Sequence, residues 1–136
     1  MAACGGSLVT SPWVSYQYVV LRCVPRVDRD EFLNVGVVMH SQAADFLDCA
    51  FATDPGRLRS LCPEVDLACV GGTLETVRAI CRGEQGPGRP TLVTLGQRFG
   101  WLAAPRSTVV QPGPVHGGLA RHPAAELDRL LAALVG

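Results

Sequence analysis

Three consecutive segments near the beginning of the chain predict neighbouring strands of one sheet. The segments are YQYVVLRCV (16–24), FLNVGVVMH (32–40) and FLDCAFA (46–52), and each is rich in β-branched or aromatic residues. Short connections separate them, whereas parallel strands need a crossover of about a dozen residues or more. We therefore expect a three-stranded antiparallel meander, against which the rest of the chain has to pack.

Helical patterns follow the meander. TDPGRLRSL (53–61) opens with a capping residue before a proline, which predicts a short helix. A second helix is expected from Pro63 to the region of Gly83, because apolar residues recur there at helical spacing. The pair Gly71 and Gly72 weakens this helix, so we expect it to split there or to let another element pack closely.

The second half of the chain adds a strand and two helices. TLGQRFGWLAA (94–104) predicts a short helix, and residues 107–111 predict a strand that the PGP sequence (112–114) interrupts. A leucine-rich C-terminal helix is expected to begin at His122. These elements predict an α+β fold: an antiparallel sheet of about four strands, with helices mainly on one face and a C-terminal helix.

The length of 136 residues fits one domain, which we place at 15–136, after a flexible leader (1–14) and with a flexible loop (83–90). The start of the chain has no signal-peptide pattern, and no apolar run approaches a membrane span. The six cysteines are therefore expected to be reduced, in a cytoplasmic protein. Because 12 basic and 12 acidic residues cancel, the charge gives no support to nucleic-acid binding.

Motifs that carry chemistry are missing from the sequence. Cys62 and Cys69 are seven residues apart and His116 and His122 six apart, neither of which is a zinc-ligand spacing. There is no G-x-S-x-G elbow, P-loop or G-x-G-x-x-G sequence. We therefore assign no catalytic residue, no metal and no cofactor, and we expect a non-enzymatic protein.

Gly36 interrupts an otherwise apolar strand, where glycine is usually avoided. Alternation places Leu33, Val35, Val37 and Met39 on a core face. The other face would then collect polar side chains around Gly36, and the ligand-binding hypothesis comprises Tyr18, Arg22, Asn34, Gly36, His40 and Asp48. The alternative, which we favour, is that an aromatic side chain covers Gly36.

A second candidate site is APRSTVVQPGPVHGG (104–118), which offers an arginine fork, two hydroxyls and a rigid turn. Such a stretch suits contact with a partner or a phosphate. The alternative is that its rigid turn serves only to reverse the direction of the chain. The residues of this hypothesis are Arg106, Ser107, Thr108, Pro112, Gly113, Pro114 and His116.

The segments YQYVVLRCVPRVDRDEFLNVGVV (16–38) and WLAAPRSTVVQPGPVHGG (101–118), followed by the leucine-rich helix, resemble the bacterial domain-of-unknown-function family 3037. The resemblance covers roughly residues 15–135. It implies an actinobacterial type of source, consistent with the absence of lysine. Members are often encoded beside a HipA-like kinase, which implies a partner or regulator of that enzyme; the resemblance implies no catalytic residues.

We therefore expect a small cytoplasmic domain that acts through another protein, with a HipA-like kinase as one candidate. The low charged content of 18% favours a face covered by such a partner or by a second copy of the chain. The alternative is an enzyme or small-ligand binder that uses the polar sheet face. Nucleic-acid binding through Arg22, Arg26, Arg29 and Arg106 is the least favoured hypothesis.

Overall fold

A computed structural model describes residues 12–86, 91–106 and 108–135. Most of the expected leader (1–14), half of the expected loop (83–90) and Ser107 lie outside these ranges. The strands are β1 (Val14–Cys23), β2 (Leu33–Ser41), β3 (Phe46–Phe51), β4 (Val110–Pro112) and β5 (His116–Ala120). The helices are α1 (Pro55–Leu61), α2 (Leu67–Cys81), α3 (Leu95–Ala103) and α4 (Pro123–Leu134), with a short 3-10 helix at Val27–Arg29.

Within the described ranges the sheet is antiparallel and has five strands. β1, β2 and β3 form the predicted meander, and both β4 and β5 pair with the other edge of β1. The predicted α+β fold is thus confirmed. The single later strand expected over 107–111 corresponds to β4, whereas β5 was missed, because its sequence HGGLA has two glycines and no β-branched residue.

A β-bulge in β2 corrects the expected alternation. Leu21 pairs with Gly36, but the next residue, Arg22, pairs with Asn34, so that Val35 is an extra residue on β2. Val35 consequently lies on the same face as Val38, while Val37 and Met39 pack on the opposite face. The prediction that Leu33, Val35, Val37 and Met39 share one face is therefore wrong.

Helices cover both faces of the sheet. On one face, α2 and α3 bury a large cluster with residues of all three meander strands, including Val19, Val38 and Cys49. On the other face, α4 contributes Leu127 and Leu130 to a smaller cluster. That second cluster also contains Tyr16, Val37, Met39, Ala120 and Val135. Burial of each such leucine contributes roughly 1.5–3 kcal/mol, which anchors α4 to the sheet.

Side-chain caps determine where α1, α2 and α3 begin. Asp54 accepts hydrogen bonds from the first turn of α1, as expected, and Thr94 and Gln97 form a capping box on α3. α2 begins at Leu67 rather than at Pro63, because Asp66 caps it. Gly71 and Gly72 neither split α2 nor admit a close neighbour, since a Cβ atom at either position would have nothing within 4 Å. No helix in the described ranges is long and apolar enough to cross a membrane.

Candidate functional site

The bulge divides the six residues of the ligand-binding hypothesis between the two faces of the sheet. Tyr18 and Asp48 both pair with Met39 and so lie on the α4 face, where Arg22 pairs with Asn34. The other two lie on the face that α2 and α3 cover. These are Gly36, which pairs with Phe51, and His40, which stacks on Phe99. The six residues therefore do not converge on one pocket.

Gly36 makes room for an aromatic ring. A Cβ atom at position 36 would lie 2.7 Å from Cδ1 of Phe51 and 3.0 Å from the carbonyl oxygen of Ala50, closer than packed atoms approach. The guanidinium of Arg78 lies over the same Phe51 ring, 4.8 Å from its centroid. The covering aromatic is thus Phe51, and the space at Gly36 is filled from within the chain.

His40 lines a cleft between the sheet and the beginning of α3. Its ring stacks on Phe99 with 5.4 Å between the centroids, and burial lowers the pKa of the imidazole. The cleft has a volume of about 510 Å³. Its lining residues are His40, Gln42, Asp45, Val93, Thr94, Leu95 and Gly96. A neutral imidazole beside amide, hydroxyl and carboxylate groups suits a small uncharged or cationic polar ligand.

A second surface lies beside α4, which packs mainly over β2 and β3 and leaves part of β1 open. We define the β1 surface as Tyr18, Val20, Arg22, Phe32, Gly113 and His116. Tyr18 and His116 stack with 5.3 Å between their ring centroids, and Gly113 donates a backbone hydrogen bond to Val20. Phe32 is 44% exposed, so a large ring faces solvent here.

Arg22 is held in place by its neighbours on the β1 surface. Its guanidinium lies 4.3 Å from the centroid of Phe32. A Cβ atom at position 113 would lie 3.1 Å from Cζ of Arg22, so Gly113 leaves the room that the guanidinium occupies. A guanidinium positioned in this way has already lost side-chain freedom, and it presents a fork that matches carboxylate or phosphate.

Arg22 and its cross-strand partner Asn34 also leave hydrogen-bonding capacity unused. Within the described residues, Nε of Arg22 and Oδ1 of Asn34 are buried without a partner, while Nδ2 of Asn34 donates to the carbonyl of Leu134 at 3.0 Å. An unsatisfied buried group costs about 1–3 kcal/mol. One donor and one acceptor on cross-strand partners are thus left without a hydrogen bond.

The residues of the second sequence hypothesis separate as well. The guanidinium of Arg106 stacks on Trp101, 4.2 Å from the ring centroid, and donates to the carbonyl of Trp101, while burial lowers its pKa. Thr108 donates to the carbonyl of Val110 at 2.7 Å. Both groups therefore bond within the chain, and Ser107 lies outside the described residues. Gly113 and His116 instead join the β1 surface, beside Pro112 in β4 and the exposed Pro114.

The arginines proposed for nucleic-acid binding are engaged locally. Arg26 pairs with Asp28 at 2.9 Å, and Arg29 pairs with Glu31 at 2.8 Å. Arg22 and Arg106 stack on aromatic rings. Within residues 12–86, 91–106 and 108–135, no group of three or more His, Cys, Asp or Glu side chains is placed to hold a metal ion.

A partly buried polar contact fastens α4 to β1. The hydroxyl of Tyr16 donates to Oε2 of Glu126 at 2.5 Å, and Arg129 donates to both oxygens of that carboxylate. Burial and the Glu126 carboxylate raise the pKa of Tyr16 to about 12. The Arg129 hydrogen bonds lower the pKa of Glu126 to about 2, against the effect of burial. Gly118 leaves room for the Tyr16 ring.

Sequence reasoning missed Phe32 and Val20 as parts of a site. A signal for Phe32 was present, because a large aromatic residue directly follows the charged stretch RVDRDE (26–31). Val20 carries no such signal, since an apolar residue in a strand is ordinarily read as core.

Comparison with known proteins gives one match. The model of a protein family described as "Protein of unknown function (DUF3037)" matches residues 18–135. Searches of the curated proteins and of the solved structures found no match.

Proposed function

The chain belongs to the DUF3037 family, and we propose that it is a cytoplasmic, non-catalytic domain that acts by binding another protein through the β1 surface. The observation that carries this proposal is the position of Arg22, which is held against Phe32 and Gly113 at the surface of the sheet. A prepositioned arginine beside an exposed aromatic ring is the kind of group that dominates the energy of protein interfaces.

The other members of the β1 surface fit the same role. Tyr18 and His116 form a stacked pair, and Val20 adds an apolar side chain between them and Arg22. Tyrosine, phenylalanine and arginine are enriched at protein interfaces, because each combines a large contact area with a defined polar group or a rigid shape. The partner would place a carboxylate against the Arg22 fork and apolar side chains against Phe32 and Val20.

A HipA-like kinase is the partner we propose, on the basis of the gene association that the family resemblance implies. The domain would act as an accessory or regulator of that kinase. A second copy of this chain is the other occupant to consider, and it would make the chain a dimer through the same surface.

Binding measurements on surface variants test the proposal. Arg22→Lys keeps the charge but removes the bidentate fork, and Phe32→Ala removes the exposed ring. Each is expected to weaken binding of the purified kinase at least about tenfold in calorimetry, a loss of about 1.4 kcal/mol. Arg59→Lys is the matched control, because Arg59 is an exposed arginine in α1. Equal affinity for all four proteins, or no binding of the kinase to wild type, would contradict the proposal.

The cleft at His40 supports a second candidate function, the binding of a small polar ligand. Its volume of about 510 Å³ is adequate for a metabolite-sized molecule, and one side is formed by the capped beginning of α3. Because the lining residues include the Asp45 carboxylate and no cationic side chain, a panel of small sugars, amides and amines would be screened by thermal shift. A rise in Tm that His40→Phe abolishes would support this function, since phenylalanine preserves the stacking on Phe99 but offers no ring nitrogen. A panel without any shift would count against it.

A further inference from the structure

The two edges of the sheet differ in how they are protected. Within the described ranges, β3 forms one edge, and β4 and β5 together form the other. On β3, the exposed Asp48 accepts a hydrogen bond from the backbone N–H of Cys49 at 2.8 Å. A charged side chain on an edge strand discourages another strand from pairing there. The β3 edge is thus blocked by its own sequence.

The β5 edge carries no comparable protection. Its sequence HGGLA contains no carboxylate, arginine or proline, and Leu119 is 63% exposed. The neighbouring β4 is only three residues long and ends in Pro112, which has no N–H to donate. Among the described residues, β5 makes backbone hydrogen bonds with β1 alone. Alternate N–H and C=O groups on the outer side of β5 are therefore open to another strand.

A cation lies directly beyond this open edge. Arg121 follows β5, and its guanidinium lies 4.9 Å from the centroid of the Trp13 ring, which is 48% exposed. In the part of the chain that the structure describes, no acidic side chain forms an ion pair with Arg121, whereas Arg129 of α4 is bound to Glu126. A cleft of about 270 Å³ joins these groups to Leu119. Arg121 therefore has its charge available for an anion.

We propose that the outer edge of β5 binds an extended acidic peptide segment, which adds to the sheet as a further strand and places a carboxylate against Arg121. The occupant has to be extended, because only a strand presents N–H and C=O groups at the spacing of the open edge. The charge of Arg121 selects an acidic segment. An apolar side chain of that segment would lie beside Leu119 on the same face. The site is separate from the β1 surface, with which it shares only His116.

A second copy of the chain fits this edge less well. If two β5 strands paired with each other around a twofold axis, the partner strand would again be HGGLA, which has no carboxylate for Arg121. The flanking residues, Val115 and Arg121 itself, supply none either. If β5 paired with the β3 edge of another copy, the hydrogen bond from Cys49 to Asp48 would have to be broken. The charge at this edge therefore favours a different, acidic chain.

Binding of synthetic peptides tests this proposal without the kinase, so its outcome is independent of the partner proposed for the β1 surface. The probe is an acetylated and amidated heptapeptide in which valine alternates with glutamate. One control peptide has lysine in place of each glutamate. Another keeps the glutamates but has every backbone nitrogen methylated, so that it cannot donate hydrogen bonds to a strand. The full chain, labelled for NMR, is titrated with each peptide, and amide hydrogen exchange is measured with and without the probe.

We expect the glutamate peptide to shift the amide resonances of Gly117 and Leu119 and to slow hydrogen exchange in β5. Both control peptides should bind at least about tenfold more weakly, because one lacks the charge and the other the backbone donors. Arg121→Gln changes an exposed side chain and should weaken binding of the glutamate peptide at least about fivefold. Arg59→Gln, an exposed arginine in α1, is the matched control and should bind as wild type does.

Four results would overturn the proposal. The first is no binding of the glutamate peptide at millimolar concentration, and the second is equal affinity for all three peptides. The third is a set of resonance changes at β3 or at the His40 cleft in place of β5. The fourth is a dimer of the chain in which the amides of Gly117 and Leu119 are protected without any peptide, because a second copy would then be the occupant.

Discussion

Gly36→Ala tests whether the chain avoids a side chain at this position for a steric reason. In a strand interior, replacing glycine by alanine would by itself stabilise the protein by about 0.5–1 kcal/mol, because glycine loses more backbone entropy on folding. In this structure the added Cβ atom would meet Cδ1 of Phe51 at 2.7 Å and the backbone oxygen of Ala50 at 3.0 Å. The two effects have opposite signs, so the sign of the measured change separates them.

The steric effect is the larger one. Carbon atoms pack at about 3.5–4.0 Å, so the ring of Phe51 would have to move away from Gly36 by about 1 Å. Overpacking of this kind costs about 1–3 kcal/mol, and the contact with the Ala50 carbonyl cannot be relieved by a rotamer change. After the entropy gain is subtracted, we expect a net destabilisation of about 1–2 kcal/mol.

Urea unfolding followed by circular dichroism measures this change. Gly71→Ala and Gly72→Ala are the controls, since nothing lies within 4 Å of a Cβ atom at either position and alanine in a helix should stabilise by about 0.8–1 kcal/mol. In a Phe51→Leu background the penalty of Gly36→Ala should fall by about 1–2 kcal/mol. If Gly36→Ala stabilises the protein as the two controls do, the steric argument is refuted.

Three further predictions concern the contacts of α4. The pKa of Glu126 is lowered to about 2, so the stability that its carboxylate contributes is present above its ordinary pKa of 4.5 and is lost as the pH falls toward 2. In Glu126→Gln, the urea midpoint should therefore depend less on pH across that window. The pKa of Tyr16 is raised to about 12, so the folded protein should lose stability as the pH rises from 10 to 12. In Tyr16→Phe, the urea midpoint should fall less over the same pH range. Leu127→Ala removes a leucine that α4 buries against the sheet and should destabilise the chain by about 2–5 kcal/mol, measured by urea unfolding.

The meander was predictable because its strands carry a strong local signal. Runs such as YVVLRCV favour extended structure wherever they pack, and the short connections leave few alternatives to an antiparallel arrangement. β5 was not predictable, because Gly117 and Gly118 have no strand preference and their place is determined by pairing with β1 and by the Tyr16 ring that covers Gly118.

The division of faces in β2 could not be predicted from alternation. Val35, Val37, Val38 and Met39 are all apolar, so no polar residue marks where the bulge lies. A shift of one residue exchanges the faces, and it separates His40 and Gly36 from Tyr18 and Arg22. Residues far apart in sequence complete the β1 surface, since Gly113 and His116 reach Arg22 and Tyr18 only through the pairing of β4 and β5 with β1.

Site-specific photo-crosslinking would test the proposed partner-binding role of the β1 surface most directly. A benzoylphenylalanine is placed at Phe32 in one protein and at Val93 in another, because both positions are exposed but Val93 lines the cleft at His40. On irradiation with the HipA-like kinase, we predict a crosslinked product from position 32 and none from position 93. A crosslink from position 93 alone, or from neither position, would contradict the proposal that the β1 surface binds the partner.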